Sequence, residues 1–104
     1  MKEKIKELKF ISREFEKLEK EIESELEEKL RGWLSEKDSF EVYLERSERE
    51  VKIVVTAKFF PERHFLKRMI NFQKYLLDYM NENGMEIVDY DVDCFENRMK
   101  FEFE

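Results

Sequence analysis

The sequence predicts an α+β fold with the order α-β-β-α-β-β, in which a four-stranded antiparallel sheet carries two helices on one face. Two long segments repeat apolar residues every three or four positions, which is the spacing of one helical face. Four short segments alternate apolar and polar residues, as half-buried strands do. A chain of 104 residues has room for one core, so a single domain, residues 1–104, is expected.

The first helix is predicted to run from residue 3 to residue 34. Its apolar residues are Ile5, Leu8, Ile11, Phe15, Leu18, Ile22, Leu26, Leu30 and Trp33. The early steps alternate between three and four, which is typical of a coiled-coil seam. Such a helix spans about 48 Å, whereas an eight-residue strand spans about 26 Å, so the helix is expected to overhang the sheet.

Apolar residues on this overhang need cover from another chain. The overhang is therefore predicted to be the protein interface of a homodimer. Its residues are Ile5, Leu8, Ile11 and Phe15.

The remaining elements are a hairpin over 39–59, a helix over 61–83 and a hairpin over 85–104. Pro61 takes the first helical position, where proline is favoured, and Gly84 is predicted to cap the helix end. In the last hairpin, matching the apolar faces pairs Val92 with Met99, Tyr90 with Phe101 and Val88 with Phe103. The face of the third strand that is expected to lie under the helices consists of Val88, Tyr90, Val92 and Cys94.

The two halves of the chain share a helix–strand–strand pattern. An offset of 48 residues superposes the hairpins, and an offset of 46 superposes the ends of the helices. Two interpretations stay open: an internal repeat, or the pattern that any two such units have in common.

Composition narrows the class of protein. The charged fraction is 44%, rich in Lys and Glu, with two Gly and one Pro, a pattern typical of thermophile proteins. The net charge of −6 argues against a general nucleic-acid binder. A single cysteine rules out an internal disulfide, and the chain has no long apolar run, so a cytoplasmic location is expected.

A cluster of acidic residues beside the only cysteine raises the question of a metal site. Asp89, Asp91 and Asp93 alternate with apolar residues, so they are predicted to form the solvent-exposed face of a strand. In this register Asp91 lies opposite Lys100 and Asp93 opposite Arg98. A calcium loop would need a glycine turn and a distal bidentate Glu. No metal ligand set, cofactor motif or catalytic constellation is predicted.

The second helix carries a basic stretch without acidic residues. Its members are Arg63, His64, Lys67, Arg68 and Lys74. They are either the solvated back of an amphipathic helix or a contact for an anion, a nucleic acid or an acidic partner.

These observations favour a non-enzymatic protein-interaction module that forms a homodimer through its long first helix. The alternative is a nucleic-acid-associated protein that uses the basic side of the second helix. An enzyme is the weakest hypothesis, because no residues of a recognised catalytic group accompany the lone His64.

Overall fold

The computed structural model describes residues 1–5, 15–47 and 50–104; the side chain of Phe15 lies outside the described part. The helical residues 2–5 form α1. The other elements are α2 (Phe15–Arg31), β1 (Ser39–Arg46), β2 (Val51–Lys58), α3 (Phe65–Glu82), β3 (Ile87–Asp93) and β4 (Arg98–Phe103). In the described part of the chain, no helix has the length and apolarity needed to cross a bilayer.

The strands form one antiparallel sheet in the order β1-β2-β4-β3, so the predicted α+β class and four-stranded sheet are confirmed. One face of the sheet contributes Val42, Val55 and Phe101 to the core. The buried residues of α2 and α3 belong to the same cluster. This helix-covered face is called the inner face below, and the opposite one the outer face.

The prediction of one long first helix over residues 3–34 is wrong. Lys4 and Glu25 would lie about 32 Å apart in one continuous helix, because each residue advances the axis by 1.5 Å. Instead the Lys4 Nζ lies 3.0 Å from Glu25 Oε2, and the Met1 ammonium lies 3.2 Å from Glu25 Oε1. Residues 1–5 therefore pack beside α2 rather than extend it, and the described residues do not form one helix over 3–34.

The start and the end of α3 are set by the backbone conformations of the residues next to them. The helix begins at Phe65, four residues after the predicted start at Pro61, and His64 before it has a left-handed φ of 68°. At the other end, Gly84 has a φ of 82°, which a glycine adopts without steric cost. The Met85 N–H donates to the Met80 carbonyl at 2.9 Å, as in a Schellman cap, so the predicted glycine cap is confirmed.

The predicted β3–β4 register is confirmed over most of its length. Tyr90 lies opposite Phe101 and Val92 opposite Met99. The pairing of Val88 with Phe103 is wrong, because an irregularity between Ile87 and Asp89 places Ile87 opposite Phe103.

Candidate functional site

Most of the exposed large apolar side chains belong to α3, β3 and the turn after β3. In the described part of the chain, nine large hydrophobic residues are exposed, and seven of them belong to α3, β3 or the turn after β3. They are Leu66, Ile70, Ile87, Val88, Tyr90, Val92 and Phe95. Together they form what is called here the α3–β3 apolar surface.

The inner face of β3 is the centre of this surface. Tyr90 is 68% exposed, although Phe101 directly opposite on β4 is 1% exposed. Directly paired residues of an antiparallel sheet point to the same face, so burial drops sharply across one strand. The helices cover the inner face as far as β4 and leave β3 open. The predicted burial of this face of β3 is therefore wrong. Cys94, predicted to lie on the same face, is exposed as well.

One flank of α3 contributes the rest of the surface. Leu66, Ile70 and Leu77 are separated by four and seven residues, so they lie on one side of the helix. Leu77 and Ile87 line the same depression, where this flank meets β3.

A sequence signal for the exposed flank existed. Ile70 and Phe72 are two residues apart, which turns them about 160° away from each other on a helix. Two apolar residues at this spacing cannot both face the same sheet; Phe72 is buried and Ile70 is exposed.

The free edge of β3 is shielded by its own side chains. The backbone N–H of Tyr90 donates to Asp89 Oδ1 at 2.9 Å. Asp89 and Asp91 lie on the outer face and are exposed. Acidic side chains at an unpaired edge discourage another edge from pairing with it.

The two borders of the α3–β3 apolar surface differ in charge. Arg63, Lys67 and Lys74 are exposed along α3 and its preceding turn, and no acidic residue occurs between residues 63 and 77. The β3 border carries the aspartates. The surface therefore runs from a basic border to an acidic one.

Of the five residues predicted to contact an anion or nucleic acid, four are exposed: Arg63, His64, Lys67 and Lys74. Arg68 is not available, because its guanidinium pairs with Asp38 and lies over the Phe59 ring at 5.3 Å. His64 caps the start of α3 through its backbone position, without a side-chain hydrogen bond.

Asp38 forms a buried clamp between the loop before β1 and the region before α3. Its carboxylate accepts the Ser35 and Phe60 backbone N–H groups, both at 2.8 Å, and the Arg68 guanidinium. Burial alone would raise the pKa of Asp38, but these hydrogen bonds outweigh it and hold the pKa below its ordinary value. The clamp is a structural device, since every group in it has a partner.

The predicted interface residues divide between described and undescribed parts of the chain. Ile5 is 3% exposed and packs into the chain's own core, beside the Met1 and Lys4 contacts to Glu25. Leu8 and Ile11 lie outside the described residues, as does the side chain of Phe15. The hydrogen bond from Lys4 to Glu25 holds this segment against α2 and lowers the pKa of Glu25.

The acidic cluster that opened the metal question has other partners. The Asp93 Oδ1 accepts the backbone N–H groups of Phe95 and Glu96 at 3.0 and 3.1 Å, which shapes the β3–β4 turn. Arg98 pairs with Glu96 at 2.8 Å rather than with Asp93 opposite it. Among the described residues, no three His, Cys, Asp or Glu side chains are placed to share a metal ion.

Comparison of the chain with protein-family models, with curated proteins and with solved structures found no match.

Proposed function

We propose that this chain is a non-enzymatic protein-interaction module that forms a homodimer through its α3–β3 apolar surface. The observation that carries the proposal is the exposure of Tyr90 beside the buried Phe101 on the same face of the sheet. An inner face without its cover is the feature that a second protein surface would complete.

The size of the surface supports an interface. The seven side chains include a Tyr and a Phe, and Phe95 is 99% exposed. An aromatic side chain can bury some 150–250 Å², so the whole set offers several hundred Å². A standard interface buries about 800 Å² on each partner, which this surface approaches before its polar rim is counted.

The charged borders favour a second copy as the occupant. In a two-fold dimer each patch contacts the same patch of the other chain. Rotation about an axis through the surface brings the basic border of α3 beside the β3 edge of the other copy. Lys67 and Lys74 then come beside the edge strand β3 of the other copy, where Asp89 and Asp91 project from the outer side of that edge, while the apolar strips meet in the centre.

Pairing of two β3 edges is the less favourable dimer. It would bring aspartates of one edge strand against aspartates of the other on the outer face, and like charges directly opposite each other destabilise a sheet. The proposed contact is therefore face to face.

Sedimentation velocity on the full chain tests the proposal. Wild type should be dimeric at about 100 µM, and the double variant Leu66→Lys/Ile70→Ser should dissociate at least about tenfold more readily. Phe60→Ser is the matched control, because Phe60 is also an exposed large hydrophobic residue but lies elsewhere. A monomeric wild type at this concentration contradicts the homodimer, and a dimer that survives the double variant contradicts this interface.

A charge swap tests the orientation. Lys67→Glu/Lys74→Glu and Asp89→Lys/Asp91→Lys should each weaken the dimer, because each places like charges across the interface. Combining all four substitutions should restore it. If the fourfold variant is weakened by the sum of the effects of the two double variants, the proposed approach of the basic border to the β3 edge is contradicted.

The alternative function, nucleic-acid association, has one supporting observation: Arg63, Lys67 and Lys74 are exposed on a flank without acidic residues. Binding of DNA or RNA whose affinity falls with salt and is lost in Lys67→Glu/Lys74→Glu would support it. The net charge of −6 and the engagement of Arg68 by Asp38 weigh against it.

A further inference from the structure

The outer face of the sheet holds a feature that lies outside the apolar contact of the proposed dimer and shares only the edge residue Asp91 with its charged rim. A depression of about 510 Å³ crosses the strands, within the range of small-molecule sites. The side chains that matter in it are Glu41, Thr56, Lys58, Asp91, Arg98 and Lys100. It is called the outer-face depression below.

The strand registers set these residues in a defined grid. Lys100 lies opposite Thr56, and Arg98 lies opposite Lys58 one row further along the same two strands. Directly opposite residues are about 5 Å apart, and their diagonal neighbours are about 7–8 Å apart. Three cations and one hydroxyl therefore form a two-by-two block in the middle of the sheet.

This block breaks a local rule of sheet design. Lys58 and Arg98 are like charges directly opposite each other, an arrangement that destabilises strand pairing. Departures from such local rules are expected at functional or strained sites.

The acids nearby do not fully neutralise the block. The carboxylate of Asp93, opposite Arg98, accepts the backbone N–H groups of the β3–β4 turn. Lys100 lies opposite Asp91, and among the described residues its ion pair is with Glu102, at 3.9 Å. Lys58 makes no ion pair within residues 1–5, 15–47 and 50–104.

We propose that the outer-face depression binds a small oxyanion, namely the phosphate or carboxylate group of a small molecule. Lys58 and Lys100 supply the charge and the Thr56 hydroxyl donates a hydrogen bond. Arg98 adds positive potential while it remains paired with Glu96.

The rim of the depression limits the size of the ligand. Glu41 on β1 and Asp91 on β3 stand at the two ends of the row that contains Thr56 and Lys100. These carboxylates repel the flanking charges of a long polyanion. A compact ligand with one or two anionic groups avoids them.

An NMR titration of the full chain tests this inference. Inorganic phosphate, pyrophosphate and citrate are added separately at ionic strength held constant with sodium chloride. Saturable amide shifts are expected at residues on β2 and β4, and the tighter of the phosphate and citrate arms identifies the preferred group. Shifts that do not saturate, or that chloride alone reproduces, overturn the proposal.

Variants locate the site. Lys58→Ala/Lys100→Ala should weaken binding at least about tenfold, and Thr56→Val should weaken it less, since one neutral hydrogen bond is lost. Lys52→Ala is the matched control, because Lys52 lies on the same strand and face as Lys58 but outside the depression. An equal loss in Lys52→Ala would mean that only the overall charge matters, and tighter binding of a single-stranded oligonucleotide than of pyrophosphate would overturn the small-ligand class.

Discussion

The two helix–strand–strand units of this protein treat their outer strands in opposite ways. Val42 on β1 and Tyr90 on β3 are 48 residues apart and occupy matching places on the inner face. Val42 is 7% exposed and Tyr90 is 68% exposed. The same position in the architecture is therefore core in the first unit and open surface in the second.

The helices differ in a corresponding way. Core positions 46 residues apart agree: Leu30 and Leu76 are both fully buried. The flanks disagree, since Lys20 and Ser24 of α2 correspond to Leu66 and Ile70 of α3, and all four are exposed. The first unit exposes polar side chains where the second exposes apolar ones.

The first unit closes its own edge. The Arg31 guanidinium at the end of α2 lies 4.9 Å from the centre of the Phe40 ring on β1, and α2 packs on that strand. This topology therefore does not require an outer strand whose inner face is left uncovered. The difference between the two units also explains why the apolar flank of α3 is the place to look for a partner.

The largest expected effect tests whether the two units share one core. Leu30→Ala and Leu76→Ala should each cost about 2–5 kcal/mol, because both leave a cavity in the same cluster. Urea unfolding at matched protein concentration measures both. A severe loss in one and a loss below about 1 kcal/mol in the other would break the correspondence between α2 and α3.

The clamp that joins the units gives the next effect. Asp38→Ala leaves two backbone N–H groups and the Arg68 guanidinium without their acceptor, so it should cost about 3 kcal/mol. Glu62→Ala is the control, since it removes only the exposed ion pair with Lys37 and should cost less than about 1 kcal/mol. Similar losses for both variants would mean that the clamp does not tie the units together.

Acid should weaken the same clamp. The folded pKa of Asp38 is depressed, so its contribution is present above the unfolded value of about 3.9 and is lost as the pH falls through the folded pKa. The stability difference between wild type and Asp38→Asn should therefore be constant above about pH 5 and shrink below pH 4. Urea melts from pH 2 to pH 7 measure this stability difference. If it grows as the pH falls, the pKa of Asp38 is not depressed in the folded protein.

The matched strand positions give a direct contrast. Val42→Ser should cost about 1–3 kcal/mol, because it places a hydroxyl in the core. Tyr90→Ser should change the stability of the monomer by less than about 0.5 kcal/mol and should weaken the proposed dimer. Chemical unfolding under dilute conditions, where only monomer is present, separates the two effects; a large monomer loss for Tyr90→Ser would mean that β3 is covered from within the chain.

The smallest effects belong to the outer face. Lys52→Ala and Lys100→Ala should each change stability by no more than about 0.5 kcal/mol, because both side chains lie away from the helices. Denaturant melts check this. A loss above about 2 kcal/mol for either variant would mean that the lysine side chain packs against other residues on the outer face.

The order of elements and most of the β3–β4 pairing could be predicted, because each depends on local patterns. Alternating side chains set Tyr90 against Phe101 and Val92 against Met99. Gly84 ends α3 because its left-handed φ is a property of one residue. Of the candidate surface, the sequence indicated the exposed basic residues Lys67 and Lys74 and missed the apolar side chains beside them.

What the tertiary structure alone decided is which faces are covered. Periodicity marks Tyr90 as apolar and inward, yet its exposure depends on how far the helices reach across the sheet, which is a long-range arrangement. Val54 makes the opposite case: it lies on the outer face, opposite Tyr43 and Glu102, and is still fully buried. The place of Lys4 beside Glu25 and of Arg68 beside Asp38 is likewise set by contacts between segments 21 and 30 residues apart, which no local pattern encodes.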